Sequence, residues 1–107
     1  SSVMLERLAS IDYSQGKLKS ALANYAAALA LPTSPLQRQR IMLNHASLLG
    51  IFDRKEEAYA AYQNFVKEYP EFPDQSQVHR RLMELARALG KTDDETKWKQ
   101  LLNGGQK

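Results

Sequence analysis

The chain has 107 residues, a length that suits one domain with a small hydrophobic core. Hydrophobic residues make up 43% of it and charged residues 25%, with a formal net charge of +3, values typical of a soluble globular protein. The absence of cysteine excludes disulfides and thiolate metal sites. No apolar run approaches the ~20 residues that a membrane span needs. Basic runs never exceed two residues, which favours a mixed, solvated surface over a nucleic-acid patch.

The first half of the chain predicts three helices. The first covers residues 3–14, where apolar residues fall near one face: Val3, Met4, Leu5, Leu8 and Ile11. An alanine-rich helix follows from about Lys17 to Leu31, since alanine has the highest helix propensity. Ser34 and Pro35 begin the third helix as cap and first residue, and Gly50 is expected to end it.

The second half predicts three more helices. Asp53 is expected to cap the fourth helix, and the sequence YPEFPD interrupts the chain after it. The fifth helix runs from the region of Asp74 to Leu89 and ends at Gly90. The last covers about residues 93–102, and residues 104–107 are predicted to be a flexible tail. No alternating β-branched run or hairpin turn predicts a strand.

Similar residues recur at a fixed spacing along these helices. Ala21 and Tyr25 reappear as Ala58 and Tyr62, an offset of 58 − 21 = 37 residues. A small residue upstream recurs at Ala9, Ala46 and Ala86, where two helices of a pair would touch. A period of this size indicates a stacked helical repeat rather than a fold with a single core.

The helix pairs resemble tetratricopeptide repeats (TPR), whose pattern is W-x2-L-G-x2-Y, then A-x3-F, then P. The first repeat matches at Leu5, Leu8, Ala9, Asp12, Ala21, Tyr25 and Pro32; the second at Met42, His45, Ala46, Leu49, Ala58, Tyr62 and Pro70; the third at Leu82, Leu85, Ala86, Leu89, Trp98 and Leu102. The family period is 34 residues, whereas Ala9 and Ala46 lie 46 − 9 = 37 apart and Ala46 and Ala86 lie 86 − 46 = 40 apart. Trp98 replaces the family's alanine, so we expect the last helix to cap the array with its apolar side packed inward.

The resemblance implies an all-α fold, a right-handed α-solenoid of six helices in antiparallel pairs. It implies one domain over residues 1–103, with repeats at about 2–33, 35–71 and 74–103. The abrupt helical start suggests a fragment of a larger protein. The YPEFP junction is also similar to bacterial TPR proteins of the cell envelope, although the compartment itself, envelope or cytoplasm, stays open.

By the resemblance, the first helix of each pair lines a concave groove that binds a peptide or partner helix. The groove residues are then Glu6, Ser10, Tyr13, Arg40, Leu43, Asn44, Ser47, Arg80, Met83 and Arg87. We expect an acidic segment, with Arg40 or Arg87 pairing a carboxylate in bidentate fashion. The alternative interpretation is that these arginines are ordinary solvated residues. A chaperone-binding clamp is disfavoured, because Glu6 and Met83 stand where that clamp needs lysine.

Other functions have less support from the sequence. The main rival is a basic helical nucleic-acid binder, using Arg38, Arg40, His79, Arg80, Arg81, Arg87 and Lys91. No enzyme, metal site or cofactor is predicted, since His45 is isolated on an apolar stripe and is interpreted as structural. Self-association is a further expectation, through exposed Val3, Met4 and Leu8 on the first helix.

Overall fold

A computed structural model describes residues 1–104, and every regular element in that range is an α-helix. The helices are α1 (Ser2–Ser14), α2 (Leu18–Leu29), α3 (Pro35–Ile51), α4 (Lys55–Glu68), α5 (Ser76–Ala88) and α6 (Thr92–Gly104). All six predicted helices are present, and the all-α class is confirmed for the described residues. Gly104, predicted to begin a flexible tail, is instead the last residue of α6. The rest of that predicted tail, residues 105–107, lies outside the described residues.

The helices group into two compact units. The first, Ser1–Phe52, contains α1 to α3, and the second begins at Asp53 and contains α4 to α6. In the first unit α2 packs against both α1 and α3, and in the second α5 packs against both α4 and α6. The boundary falls inside the predicted repeat 35–71, so the division into three repeats stays a prediction.

Alanines and one carboxylate join α1 to α2. Ala9 and Ala21 are fully buried, and such small side chains allow two helix backbones to approach closely. Asp12 then accepts hydrogen bonds across the pair at Oδ2, from Ser20 Oγ at 2.7 Å and from Asn24 Nδ2 at 2.9 Å. Close packing and paired polar groups therefore fix α1 against α2.

The outward face of α1 differs from the prediction. Of the five apolar residues expected near one packed face, only Leu5 is half-buried. The other four are exposed: Val3, Met4, Leu8 and Ile11. These four residues, which we name the α1 apolar face, are contacted by no other helix of their unit strongly enough to bury them.

The second unit is built around the single tryptophan of the chain. Trp98 is 4% exposed, and its indole Nε1 donates to the Tyr59 hydroxyl over 2.9 Å. Tyr59 in turn donates to Asp94 Oδ2 over 2.8 Å, and the His79 ring stacks on the indole with centroids 5.5 Å apart. The expected inward packing of α6 is confirmed for Trp98. Leu101, expected on the same side, is half exposed.

The helix ends depend on residues with positive φ. Gly90 follows α5 with φ +76°, and the next amide, of Lys91, donates to the Ala86 carbonyl over 2.8 Å, which closes the helix in a Schellman motif. Gly50 was predicted to end α3 in the same way, but it lies inside the helix. Asp53 instead takes the left-handed conformation at φ 61°, and its side chain pairs with Lys55 rather than capping α4.

The start of α3 agrees with the prediction. Ser34 is the N-cap residue, and its hydroxyl accepts a hydrogen bond from the Gln37 amide at 3.2 Å. Pro35 is the first residue of the helix, where its missing N–H leaves no intrahelical hydrogen bond unmade. The spacing of serine, proline and glutamine therefore predicts this helix end correctly.

Candidate binding surface

Two of the predicted groove residues in the first unit form a bidentate ion pair between α1 and α3. Arg40 donates from Nε to Glu6 Oε2 over 2.9 Å and from a terminal nitrogen to Oε1 over 3.0 Å. Gln37 adds a third donor to Glu6 at 3.3 Å. The hydrogen bonds from Arg40 hold the pKa of Glu6 below its ordinary value, although partial burial opposes them. Arg40, which we expected to receive a partner's carboxylate, is thus already paired within the chain.

Three more predicted residues line one pocket on the same pair of helices. Tyr13 comes from α1, and Asn44 and Ser47 come from α3. Tyr25 of α2 and Leu48 of α3 complete the lining of a cavity of about 100 Å³. We name these five residues the α1–α3 pocket.

The chemistry of the α1–α3 pocket is neutral and polar. Tyr25 is buried, and this burial raises the pKa of its hydroxyl, which also forms a side-chain hydrogen bond with Asn44. Ser47 and Asn44 are exposed and bring a hydroxyl and an amide, groups that donate as well as accept hydrogen bonds. Such a set suits the peptide groups or polar side chains of a bound segment better than a charged group.

The remaining predicted residues of the first unit do not line this pocket. Ser10 is exposed on α1, and Leu43 is half-buried on α3. Tyr25, in contrast, is a pocket residue that the sequence analysis named for the repeat pattern and not for the groove. Its position inside the alanine-rich helix, directly before Ala26, gave no signal that its hydroxyl would border a cavity.

The predicted residues of the second unit separate into two places. Arg80 and Met83 border a depression of about 480 Å³ together with Ser76 of α5 and with residues of α6: Lys99, Leu102 and Asn103. Arg87 is not among its lining residues, and its Nε donates to Glu95 Oε2 over 2.7 Å. The α6 residues were missed because the last helix was interpreted as a cap.

Many of the basic side chains proposed for nucleic-acid binding already pair with carboxylates. Besides Arg40 and Arg87, Arg81 contacts Glu84 at 3.3 Å and Lys91 lies 4.0 Å from Glu56. His79 is half-buried against the Trp98 ring, and burial lowers its pKa, which disfavours the charged form. Within residues 1–104, four of the seven basic residues named for nucleic-acid binding thus have a carboxylate partner in the chain: Arg40, Arg81, Arg87 and Lys91.

No protein-family model and no curated protein matches this chain. Within residues 1–104, no helix is long and apolar enough to cross a membrane. The described residues also include no group of three or more histidine, aspartate or glutamate side chains placed to hold a metal ion.

Proposed function

We propose that the protein is a protein–protein interaction module that binds a peptide segment or a partner helix along the α1–α3 pocket. The observation that carries this proposal is the convergence of Tyr13, Asn44 and Ser47 on one cavity. These residues lie on two helices far apart in sequence and present neutral hydrogen-bonding groups beside aromatic and aliphatic carbon. Binding sites for peptides combine apolar contact with a few placed polar groups in this way.

Contacts between α1 and α3 support the TPR-like interpretation of the first unit. Glu6 meets Arg40 at an offset of 34 residues, and Tyr13 shares its pocket with Ser47 at 47 − 13 = 34. In a stacked repeat the first helix of one pair lies beside the first helix of the next, so contacts at about one period are expected. The recurring Ala9, Ala46 and Ala86 are also all buried, as a repeated small contact residue should be.

The ion pair refines the kind of segment that we propose for this site. A partner's carboxylate would have to displace Glu6 from Arg40, losing two well-formed charge-assisted hydrogen bonds. Recognition in the first unit therefore rests on Asn44, Ser47 and Tyr13, and the bound segment is polar rather than acidic at this point.

A peptide-display selection with matched variants tests this proposal. The full chain is immobilised and exposed to a random peptide library, and enriched peptides are compared on two variants. Ser47→Arg places a long charged side chain at the pocket, whereas Ala27→Arg places the same side chain at an exposed position on α2. We expect Ser47→Arg to weaken binding by about tenfold or more, the cost of about 1.4 kcal/mol, and Ala27→Arg to leave it unchanged. The proposal would be contradicted if every enriched peptide bound both variants equally.

A further inference from the structure

The depression between α5 and α6 in the second unit is lined by two basic side chains, one from each helix. Arg80 and Lys99 both line it and both are exposed. Among the described residues no carboxylate lies within ion-pair distance of either cation. Their neighbours on the same helix, Arg81 and Arg87, do have such partners. Two cations are thus available at one surface, where an anion would also reduce their mutual repulsion.

The same depression is lined by apolar as well as charged side chains. Met83 and Leu102 are half-buried in its lining, one from each helix. Methionine has three rotatable bonds and a polarisable sulfur, so it adapts to apolar side chains of different shape. The cavity of about 480 Å³ is much larger than a single small anion would fill. Charge and apolar surface together fit a segment that carries both an acidic and an apolar side chain.

We propose that this depression binds an acidic segment of a partner protein. A glutamate or aspartate carboxylate lies between Arg80 and Lys99, and a neighbouring apolar side chain packs on Met83 and Leu102. The first turn of α5 is not needed, because the amide and hydroxyl of Ser76 already donate to Asp74 at 3.0 and 2.6 Å. The site uses residues of the second unit alone and shares none with the α1–α3 pocket.

The test compares two double variants that change charge equally. Arg80→Glu with Lys99→Glu removes the proposed site, whereas Arg7→Glu with Lys19→Glu reverses the same residue types at exposed positions in the first unit. Circular dichroism and Trp98 fluorescence check that each variant folds. The probes are a random peptide library, vesicles of phosphatidylcholine with phosphatidylserine, and a single-stranded oligonucleotide. All are applied to the full chain.

We expect the library to yield peptides in which an acidic residue adjoins an apolar one. These peptides should bind the control variant, Arg7→Glu with Lys19→Glu, as they bind the original chain. They should bind the variant Arg80→Glu with Lys99→Glu at least about tenfold more weakly. Replacing the acidic residues of these peptides with lysine should restore binding to the variant Arg80→Glu with Lys99→Glu, because opposite charges then face each other again. They should also bind Ser47→Arg normally, which separates this site from the one proposed in the first unit.

Three results would overturn the inference. One is that no acidic peptide is enriched, and another is that enriched peptides bind both double variants equally. The third is that the variant Arg80→Glu with Lys99→Glu, but not the control variant, binds vesicles or the oligonucleotide more weakly while its peptide binding is unchanged. That result would assign the two cations to a lipid or phosphate partner. None of these results bears on the α1–α3 pocket, whose own test is the Ser47→Arg comparison.

Discussion

Tyr59 bears a hydroxyl that two neighbours in the second unit share, buried Trp98 and half-buried Asp94. It accepts from Trp98 and donates to Asp94, and burial raises its pKa. Tyr59→Phe would leave the buried indole N–H without its acceptor, and we expect a loss of about 1–3 kcal/mol in the free energy of unfolding. Urea unfolding followed by Trp98 fluorescence measures it. The control is Tyr13→Phe, because Tyr13 is 52% exposed, and an equal midpoint for both variants would refute the shared hydroxyl.

The Glu6 carboxylate predicts a pH dependence of stability in the first unit. Its pKa is lowered from 4.5 on folding, chiefly by the hydrogen bonds from Arg40. A lowered folded pKa gives stability that is complete above the unfolded value and is lost as pH falls through the folded one. The original chain should therefore be more stable than Glu6→Gln at pH 7, and the difference should shrink below pH 4.5.

Amide hydrogen exchange in α1 and α3 measures that difference at each pH. Glu84→Gln is the control, because Glu84 is an exposed carboxylate whose pair with Arg81 is open to solvent. It should change stability little across the same range. A difference in stability between the original chain and Glu6→Gln that stays constant down to acidic pH would contradict the proposed role of the ion pair.

The sequence predicted which residues lie at the surface of α1 and α3 better than it predicted the contacts between them. Tyr13, Asn44 and Ser47, which the TPR resemblance named for the groove, line one pocket, and their role in binding stays a prediction. The Glu6–Arg40 pair was missed, although both residues were named for the groove. An ion pair depends on how two long side chains reach between helices, and helical periodicity does not specify that reach.

Gly50 and Gly90 look alike in the sequence but occupy different backbone conformations. Gly90 has φ +76° after α5, whereas Gly50 lies inside α3 with open space around the position of an added Cβ. Gly90→Ala should destabilise the chain by about 1–2 kcal/mol, the cost of a left-handed residue with a Cβ. Gly50→Ala should stabilise it by about 0.5–1 kcal/mol, because glycine loses more backbone entropy in a helix.

Thermal unfolding followed by circular dichroism compares the two alanine variants. Each change adds one methyl group where no heavy atom lies within 4 Å, so the backbone effect is isolated from packing. Opposite shifts in Tm are predicted. Shifts of the same sign would show that the two glycines play the same role, as the sequence alone suggested.

The number and kind of the helices could be read from the sequence, because each apolar stripe repeats at helical spacing. The end of α3 could not, because glycine can either end a helix or be tolerated within one. The positive φ after α3 is at Asp53 and not at Gly50. Which of the two residues, Gly50 or Asp53, has a positive φ depends on the path that the backbone takes after Ile51.

At the scale of the whole chain, the α1 apolar face predicts weak self-association. Met4 is 61% exposed and Leu8 46%, and four such side chains offer less than the roughly 1,200 Å² that stable complexes bury. Sedimentation equilibrium should show an average mass that rises with concentration, and Leu8→Lys with Met4→Lys should abolish that rise. The matched control is Leu36→Lys, since Leu36 is 71% exposed on α3. A monomer at every concentration would contradict the prediction.

The resemblance to TPR repeats predicted that α1 and α3 would share a surface. It did not predict the role of Lys99 and Leu102, which depends on how the last helix packs on α5.

The proposed function depends on the binding of a peptide segment at the α1–α3 pocket. Its most direct test is a backbone NMR titration of the full chain with a peptide enriched in the display selection and still bound by Arg80→Glu with Lys99→Glu. We predict that the largest chemical-shift changes fall on Tyr13, Asn44 and Ser47, and that they disappear in Ser47→Arg. Saturable binding that leaves these three residues unshifted would contradict the claim.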